Sequence, residues 1–419
     1  MTHTVMAELG PRADRMSRKW LDYAAAHPAT SVAIGVVALC TGEPPTREEI
    51  AVLVSMAVDA YPELGRHPVP EPARSAGAPG TPFRLDQQIF EVEAESGSGQ
   101  AGLRAVLERL TAEPLPAALW GVWLVHGYAA GEFAVVLRGH HALFDGLLLT
   151  DIIACALGAE PRRRSGAAAG SAPRRADPAT ALREARALFR DRGRAAQPVP
   201  PSVKLTGRVR YAWDGVSVER MRAAAAAHRA TSNDVYLAAL AGALRVWAPD
   251  PRWLAGGRPV RVQVPIGYPH EAGRLGVRAT AAWVRLPCEV DDPAERTALV
   301  KVQTDRLRAS LRDPHTGSLT RLVSKLLGRF DLDLQYHPGW MSLLVSHVPG
   351  PAATPAIAGR TVTAGVPLMF LPARQYLATA MCDFAGMAQL CVVADQAVPD
   401  VDELARQWVH QVDLLGGHR

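Results

Sequence analysis

Along the first third of the chain, apolar residues alternate between two periods. Ser31 to Cys40 is an almost unbroken Val- and Ala-rich run and predicts a buried strand. Thr46 then opens a helix, because Glu49 follows it three residues later in an S/T-x-x-E capping box, and the helix ends near Pro62. Phe83 to Val92 alternates polar and apolar positions, whereas Leu103, Val106, Leu107 and Leu110 recur at helical spacing. Trp120 to Val125 and Phe133 to Gly139 predict two further strands, and Leu147 to Leu157 a helix. These elements make a mixed α/β lobe.

The pattern breaks from Gly158 to Pro201, where Arg, Ala, Gly, Ser and Pro dominate around one short helical stretch at Ala181 to Phe189. Such composition predicts a surface crossover. Alternation then resumes. Strands are expected near Val209 to Trp213, Val260 to Pro265, Arg278 to Leu286, Met341 to Ser346 and Gln389 to Val393. Helices are expected over Val218 to Arg229, Asp234 to Trp247, Ala294 to Leu311, Leu319 to Gly328 and Val401 to Leu415. The division is therefore a first lobe over residues 1–158, a crossover over 159–203 and a second lobe over 204–419, with similar content but no internal sequence repeat.

Composition narrows the class. The 419 residues are 48% hydrophobic and 21% charged, as expected of a folded chain with a large core. The net charge of +5 rests almost wholly on arginine, with lysine only at Lys19, Lys204, Lys301 and Lys325, and aromatics are 6%, too sparse for rows of base-stacking platforms. A nucleic-acid partner is not expected. Cys40, Cys155, Cys288, Cys382 and Cys391 sit apart in apolar runs without a CxxC pair and read as buried thiols of a reducing compartment. The first twenty residues lack the apolar core of a signal peptide, and no apolar run approaches the roughly 18 residues of a membrane span. A cytoplasmic protein is expected, with contact to a membrane surface left open.

The chemistry concentrates in Arg138-Gly139-His140-His141-Ala142-Leu143-Phe144-Asp145-Gly146, where a strand ends and a helix begins. Adjacent strand side chains face opposite ways, so one histidine is expected to react and the other to support packing. Asp145 is suited to capping the next helix, Gly146 to a turn with positive φ, and the helix N-terminus to stabilising an oxyanion. A metal site is not expected, since adjacent histidines diverge and no second ligand pair accompanies them. Gly97 to Gly102 fits GxGxxG, but its preceding segment is studded with glutamate and no acid follows about 20 residues on, so it reads as a loop.

The segment resembles the HHxxxDG motif of the wax ester synthase/diacylglycerol acyltransferase family, within the wider group of condensation domains and chloramphenicol acetyltransferase. Other stretches agree in order: LPAALWGVWLV at Leu115 to Val125, ATSNDVYLAALAGA at Ala230 to Ala243, RVQVPIG at Arg261 to Gly267, SHVPGP at Ser346 to Pro351, and AVPDVDEL opening the last helix. His347 stands where the family has Asn, and its Gly-Asn-Arg is here Gly276-Val277-Arg278. The resemblance implies two chloramphenicol-acetyltransferase-like α/β lobes with an active-site tunnel at their junction. It also implies acyl transfer from a thioester, acyl-CoA or a carrier-protein thioester, to a long-chain alcohol or diacylglycerol, with no resident cofactor.

In this reading neutral His141, through either ring nitrogen, is the general base. Asp145 holds the loop through an arginine, Arg261 or Arg278. His140 and Gly146 complete the motif, and Asn233, Asp234, Trp120, Arg278 and His347 are candidates for substrate contact or structural support. Thr231 to Asp234 also suit plain helix capping, and Trp120 and Trp123 suit the core. An alternative is an O- or N-acyltransferase of specialised metabolism acting on a natural-product acceptor. A third reading is a condensation-type domain making amides, and a fourth a binding scaffold without activity.

Overall fold

The computed structural model describes residues 15–66, 83–159, 194–250, 252–267, 273–312, 331–351 and 356–417. Its elements in chain order are α1 (Arg15–Ala26), β1 (Ala33–Thr41), α2 (Arg47–Ala60), β2 (Ile89–Glu93), α3 (Gly99–Ala112), β3 (Trp120–His126), β4 (Glu132–His140) and α4 (Gly146–Ala156). Then follow β5 (Val209–Ser217), α5 (Val218–Ala227), α6 (Ser232–Trp247), β6 (Val260–Gly267), β7 (Ala279–Leu286), α7 (Pro293–Arg312) and α8 (Asp331–Gln335). The chain ends with β8 (Leu343–Pro349), β9 (Ala356–Ile357), β10 (Arg360–Leu368), β11 (Leu377–Phe384), β12 (Met387–Asp395) and α9 (Val401–Leu415).

Local signals account for most of these starts and stops. Thr46 makes the expected capping box with Glu49, its side chain accepting from the Glu49 N–H while the Glu49 carboxylate accepts from the Thr46 N–H. The expected helices at Ala181 to Phe189 and Leu319 to Gly328 lie outside the described residues. Gly97 takes positive φ in a turn and Gly99 as the first residue of α3, so GxGxxG runs from that turn into the helix rather than staying a loop throughout, and the preceding β2 is a half-exposed edge strand.

Two six-stranded sheets are formed by the described residues, in the orders β2-β3-β4-β1-β10-β9 and β5-β12-β11-β8-β6-β7. β10 reaches across from the C-terminal part of the sequence into the first sheet, pairing antiparallel with β1 from Gly35 opposite Leu368 to Cys40 opposite Val362. The expectations from sequence had no strand there. Gly365 and Pro367 are poor strand formers; tertiary packing overrides them, since a Cβ at Gly365 would come within 2.9 Å of Phe384.

The second sheet is buried on both faces, which explains its near-continuous apolar strands. Along β12, Cys391 and Val393 belong to a core shared with the first sheet, while Leu390, Val392 and Ala394 pack into a second core with α5, α6 and α9. Likewise Leu344 of β8 faces the shared core, and Leu343 and Val345 face the helices. Among the described residues no helix is long and apolar enough to cross a membrane. Among those residues no disulfide joins the cysteines, and burial pushes the Cys40 and Cys391 thiols up to about 12.

Candidate active site

β4 carries the histidine pair to the lobe junction and ends there. His140, paired with Ala33 of β1, is the last strand residue, and the chain turns at His141. The main chain of the turn is held by the His140 N–H to Leu119 O at 2.8 Å and the His141 N–H to Val32 O at 3.2 Å. The break in the strand frees the two rings from strict alternation, and each finds different surroundings.

His140 is buried, and its Nδ1 accepts the Ala142 N–H at 3.0 Å. An N–H can only donate, so the proton of the neutral ring sits on Nε2. Burial, with the neighbouring His141 adding to it, pushes this imidazole down to about 4. His141 has the opposite arrangement. Its Nδ1 lies 3.1 Å from the Phe144 carbonyl oxygen, which can only accept, so Nδ1 carries the hydrogen and Nε2 presents its lone pair. The residue is partly buried, and desolvation of the ring outweighs the Asp145 charge and the Phe144 bond, holding it below the ordinary imidazole value. It is therefore neutral at neutral pH.

Asp145 binds the loop to both lobes. Its Oδ1 accepts from the Leu147 and Leu148 N–H groups at 3.0 Å each, capping α4. Its Oδ2 accepts the Arg278 backbone N–H at 2.9 Å. Gly276 N–H to Leu143 O at 2.7 Å and the parallel bridge of Phe144 with Gly276 fasten the same seam. The expected arginine thus engages Asp145 through its main chain, and the capped amides Leu147 and Leu148 are already committed to that carboxylate rather than to a developing oxyanion. Gly146 departs from expectation, since its φ is not positive. Its need is space: a Cβ there would lie 2.7 Å from Val348 Cγ2 of β8. Thr150 Oγ1 closes the contact by donating to the Pro349 carbonyl at 3.0 Å.

A chain with this loop between two such sheets can be set beside known proteins. The wax ester synthase/diacylglycerol acyltransferase catalytic domain matches residues 80–234, and the WS/DGAT C-terminal domain matches residues 275–415. The chain belongs to the WS/DGAT family. It is an acyltransferase of that family. One relative, the Mycobacterium tuberculosis protein named "Putative diacyglycerol O-acyltransferase Rv3087", is 25% identical over 80% of this chain and 79% of its own length. Another from the same species, named "Probable diacyglycerol O-acyltransferase tgs2", is 26% identical over 68% and 71%. Among solved structures, the WS/DGAT of Marinobacter aquaeolei VT8 superposes with a TM-score of 0.60 at 16% identity, covering 93% of this chain and 95% of that one. The first condensation domain of the calcium-dependent antibiotic synthetase gives 0.62 at 17%, covering 96% and 95%. The two-lobed fold inferred from the WS/DGAT motifs is thus the observed one.

Of the remaining WS/DGAT motif residues, Trp120, Asp234 and His347 are engaged with other partners. Trp120 is buried in β3 with its indole N–H donating to Leu64 O at 3.0 Å. Asp234 is fully buried as the third residue of a capping box with Thr231: it accepts from the Thr231 N–H at 2.9 Å and from Thr304 Oγ1 at 2.6 Å, with Arg308 at 3.4 Å. Asn233 is half-buried in the same turn. His347 shares the helix-facing side of β8 with Leu343 and Val345, opposite to Val348, which meets Gly146. Its Nε2 pairs with Asp383 Oδ2 at 3.1 Å, and its ring meets Tyr236 edge-on at 6.4 Å.

The sequence expectations missed the residues that wall His141. Trp20 of α1 stacks on it, and Phe370 stands edge-on at 5.8 Å. Met16, Trp20, Tyr23 and Ala24 do recur at helical spacing, a signal that could have revealed α1 and its inward face. Of the cavities among the described residues, one of about 720 Å³ lies beside Arg104, Arg210 and the start of α9, and one of about 450 Å³ beside Arg222, Ser232 and Asp383. Neither is lined by His141. No group of three or more His, Cys, Asp or Glu side chains among the described residues is placed to hold a metal ion.

Proposed function

We propose that this acyltransferase moves an acyl group from acyl-CoA to the hydroxyl of a long-chain alcohol, diacylglycerol or similar acceptor, with His141 as general base. The observation that carries the reading is the hydrogen bond from His141 Nδ1 to the Phe144 carbonyl, which orients an unprotonated Nε2 at the seam of the two lobes. Nε2 takes the acceptor's hydroxyl proton as its oxygen attacks the thioester carbonyl. The tetrahedral adduct collapses, the C–S bond breaks, and the proton passes from Nε2 to the departing thiolate. The balance is one ester and one free thiol, with no acyl-enzyme.

Asp145 supports this step by fixing the loop, through α4 on one side and Arg278 on the other. A tunnel admitting donor and acceptor from opposite faces would exclude water from an activated donor. The diacylglycerol O-acyltransferase names of the relatives support a lipid hydroxyl as acceptor, and the chemistry serves a natural-product hydroxyl or amine, or a carrier-bound donor, equally well.

Incubation with a panel of acyl-CoA donors and acceptors, followed by mass spectrometry, tests the reading. The expected products are esters of lipid alcohols together with free CoA, and products formed only with a carrier-bound donor would move the assignment to specialised metabolism. His141→Ala is expected to lower turnover by about 10²- to 10⁴-fold while circular dichroism stays unchanged. Undiminished turnover would remove the base assignment.

A further inference from the structure

The face of the His141 imidazole is covered from a distant part of the sequence. The Trp20 indole lies with its centroid 4.0 Å from that of the imidazole and its plane tilted by only 15°. Trp20 is itself wedged in place, with Phe370 edge-on at 5.0 Å, Tyr23 at 6.0 Å and Tyr336 at 6.0 Å. Helix α1, which carries Trp20, is fastened at its far end. The Tyr23 hydroxyl accepts the Ala373 N–H at 2.9 Å, and His27 Nε2 lies 2.6 Å from Asp333 Oδ1. These bonds tie α1 to the two segments that supply Phe370 and Tyr336.

The imidazole is thus restrained in two independent ways. Its hydrogen bond to Phe144 fixes rotation within the ring plane, and the stack fixes the tilt of that plane. Together they set the direction of the Nε2 lone pair, which a hydrogen bond at one nitrogen alone leaves free to swing. A large flat ring at van der Waals distance also excludes water from the face it covers.

We propose that Trp20 is a positioning residue for His141, holding the imidazole plane so that Nε2 meets the acceptor hydroxyl and shielding the thioester step from water. This rests on the reading of His141 as the base. The ionisable groups around the ring are His140 and Asp145 on its own segment, Tyr23 from α1 and Tyr336 after α8, with His27, Asp333 and Arg374 a layer further out.

The full-length protein tests it, with palmitoyl-CoA and hexadecanol as probes; free thiol and ester are counted separately. Trp20→Ala is expected to lower kcat by about 10²-fold, because small misplacements of a reacting group are costly, with little change in KM. The share of palmitoyl-CoA lost to hydrolysis should rise several-fold, the acid limb of the rate profile should move up toward the ordinary imidazole value, and Trp20→Phe should restore most of the transfer. Trp20→Leu, which keeps apolar bulk without a flat ring, is the second variant if the alanine form does not fold, and it should show the same changes to a smaller extent.

In the unmodified protein the ring protons of His141 should resonate upfield through the indole ring current, and ordinary shifts would overturn the stack without any variant. If His141→Ala abolishes turnover but the Trp20 variants keep wild-type kcat, product partition and acid limb, the role of Trp20 alone falls. If His141→Ala leaves turnover intact, the assignment of the base fails instead.

Discussion

Two helix starts in this molecule use the same device to different ends. At Thr231–Asp234, the capping carboxylate closes on itself: Asp234 accepts from the Thr231 N–H and the Thr304 hydroxyl, lies against Arg308, and is wholly buried. At Asp145–Gly146, the carboxylate caps α4 and also holds Arg278 of the other lobe, while the adjoining turn holds His141 with Nδ1 committed to Phe144 and the lone pair left on Nε2. A helix cap alone is therefore no sign of chemistry. What marks the second start is the group left over once the local hydrogen bonds have been made.

The sharpest break in this comparison beyond loss of turnover at His141 is Asp234→Ala. It strands the buried Thr304 hydroxyl, the part-buried Thr231 N–H and the Arg308 guanidinium, and should cost about 3 kcal/mol in urea unfolding, while activity per folded molecule stays near wild type. Selective loss of activity with stability intact would make Asp234 part of the chemistry. Asp145→Asn should do the reverse in proportion. An amide caps α4 through its oxygen but turns an N–H toward the Arg278 N–H, costing about 1–3 kcal/mol and depressing transfer more than any change at Asp234. Equal activity losses in the two variants would erase the distinction drawn here.

The histidines offer a pH test. His140 takes up a proton near 6.5 when unfolded but only near 4 in the native state. Above 6.5 it contributes nothing. As pH falls through 6.5 the unfolded state binds a proton that the native state refuses, so stability drops until about pH 4. Between pH 7.5 and 5 the loss from this residue should be about 2 kcal/mol, read as the difference between wild type and His140→Gln in urea midpoints. A pH-independent difference would refute the buried neutral ring. The smallest effect is expected at Thr231→Ala, about 1 kcal/mol from one lost cap, visible as a small drop in melting temperature with unchanged kcat.

Much of this was legible in local sequence. The capping box at Thr46, the Asp145 cap, the strand–turn–helix around His140 and His141 and the exact span of Val401–Leu415 all follow from hydrogen bonds and periodicities that close within a few residues. The order of motifs likewise pointed to the family and to its two lobes. Gly146 was singled out for the wrong reason, because its neighbour Val348 is remote in sequence.

Tertiary structure alone decided that β10 leaves the C-terminal part to complete the first sheet, that Arg278 reaches Asp145 through its amide, and that Trp20 lies on His141. It also settled which nitrogen of His141 bears the hydrogen, through the position of one carbonyl oxygen. A repeat of 2 or 3.6 residues records only which face of an element is buried. Which partner covers that face depends on packing between segments far apart along the chain, and such contacts leave no period in the sequence to read.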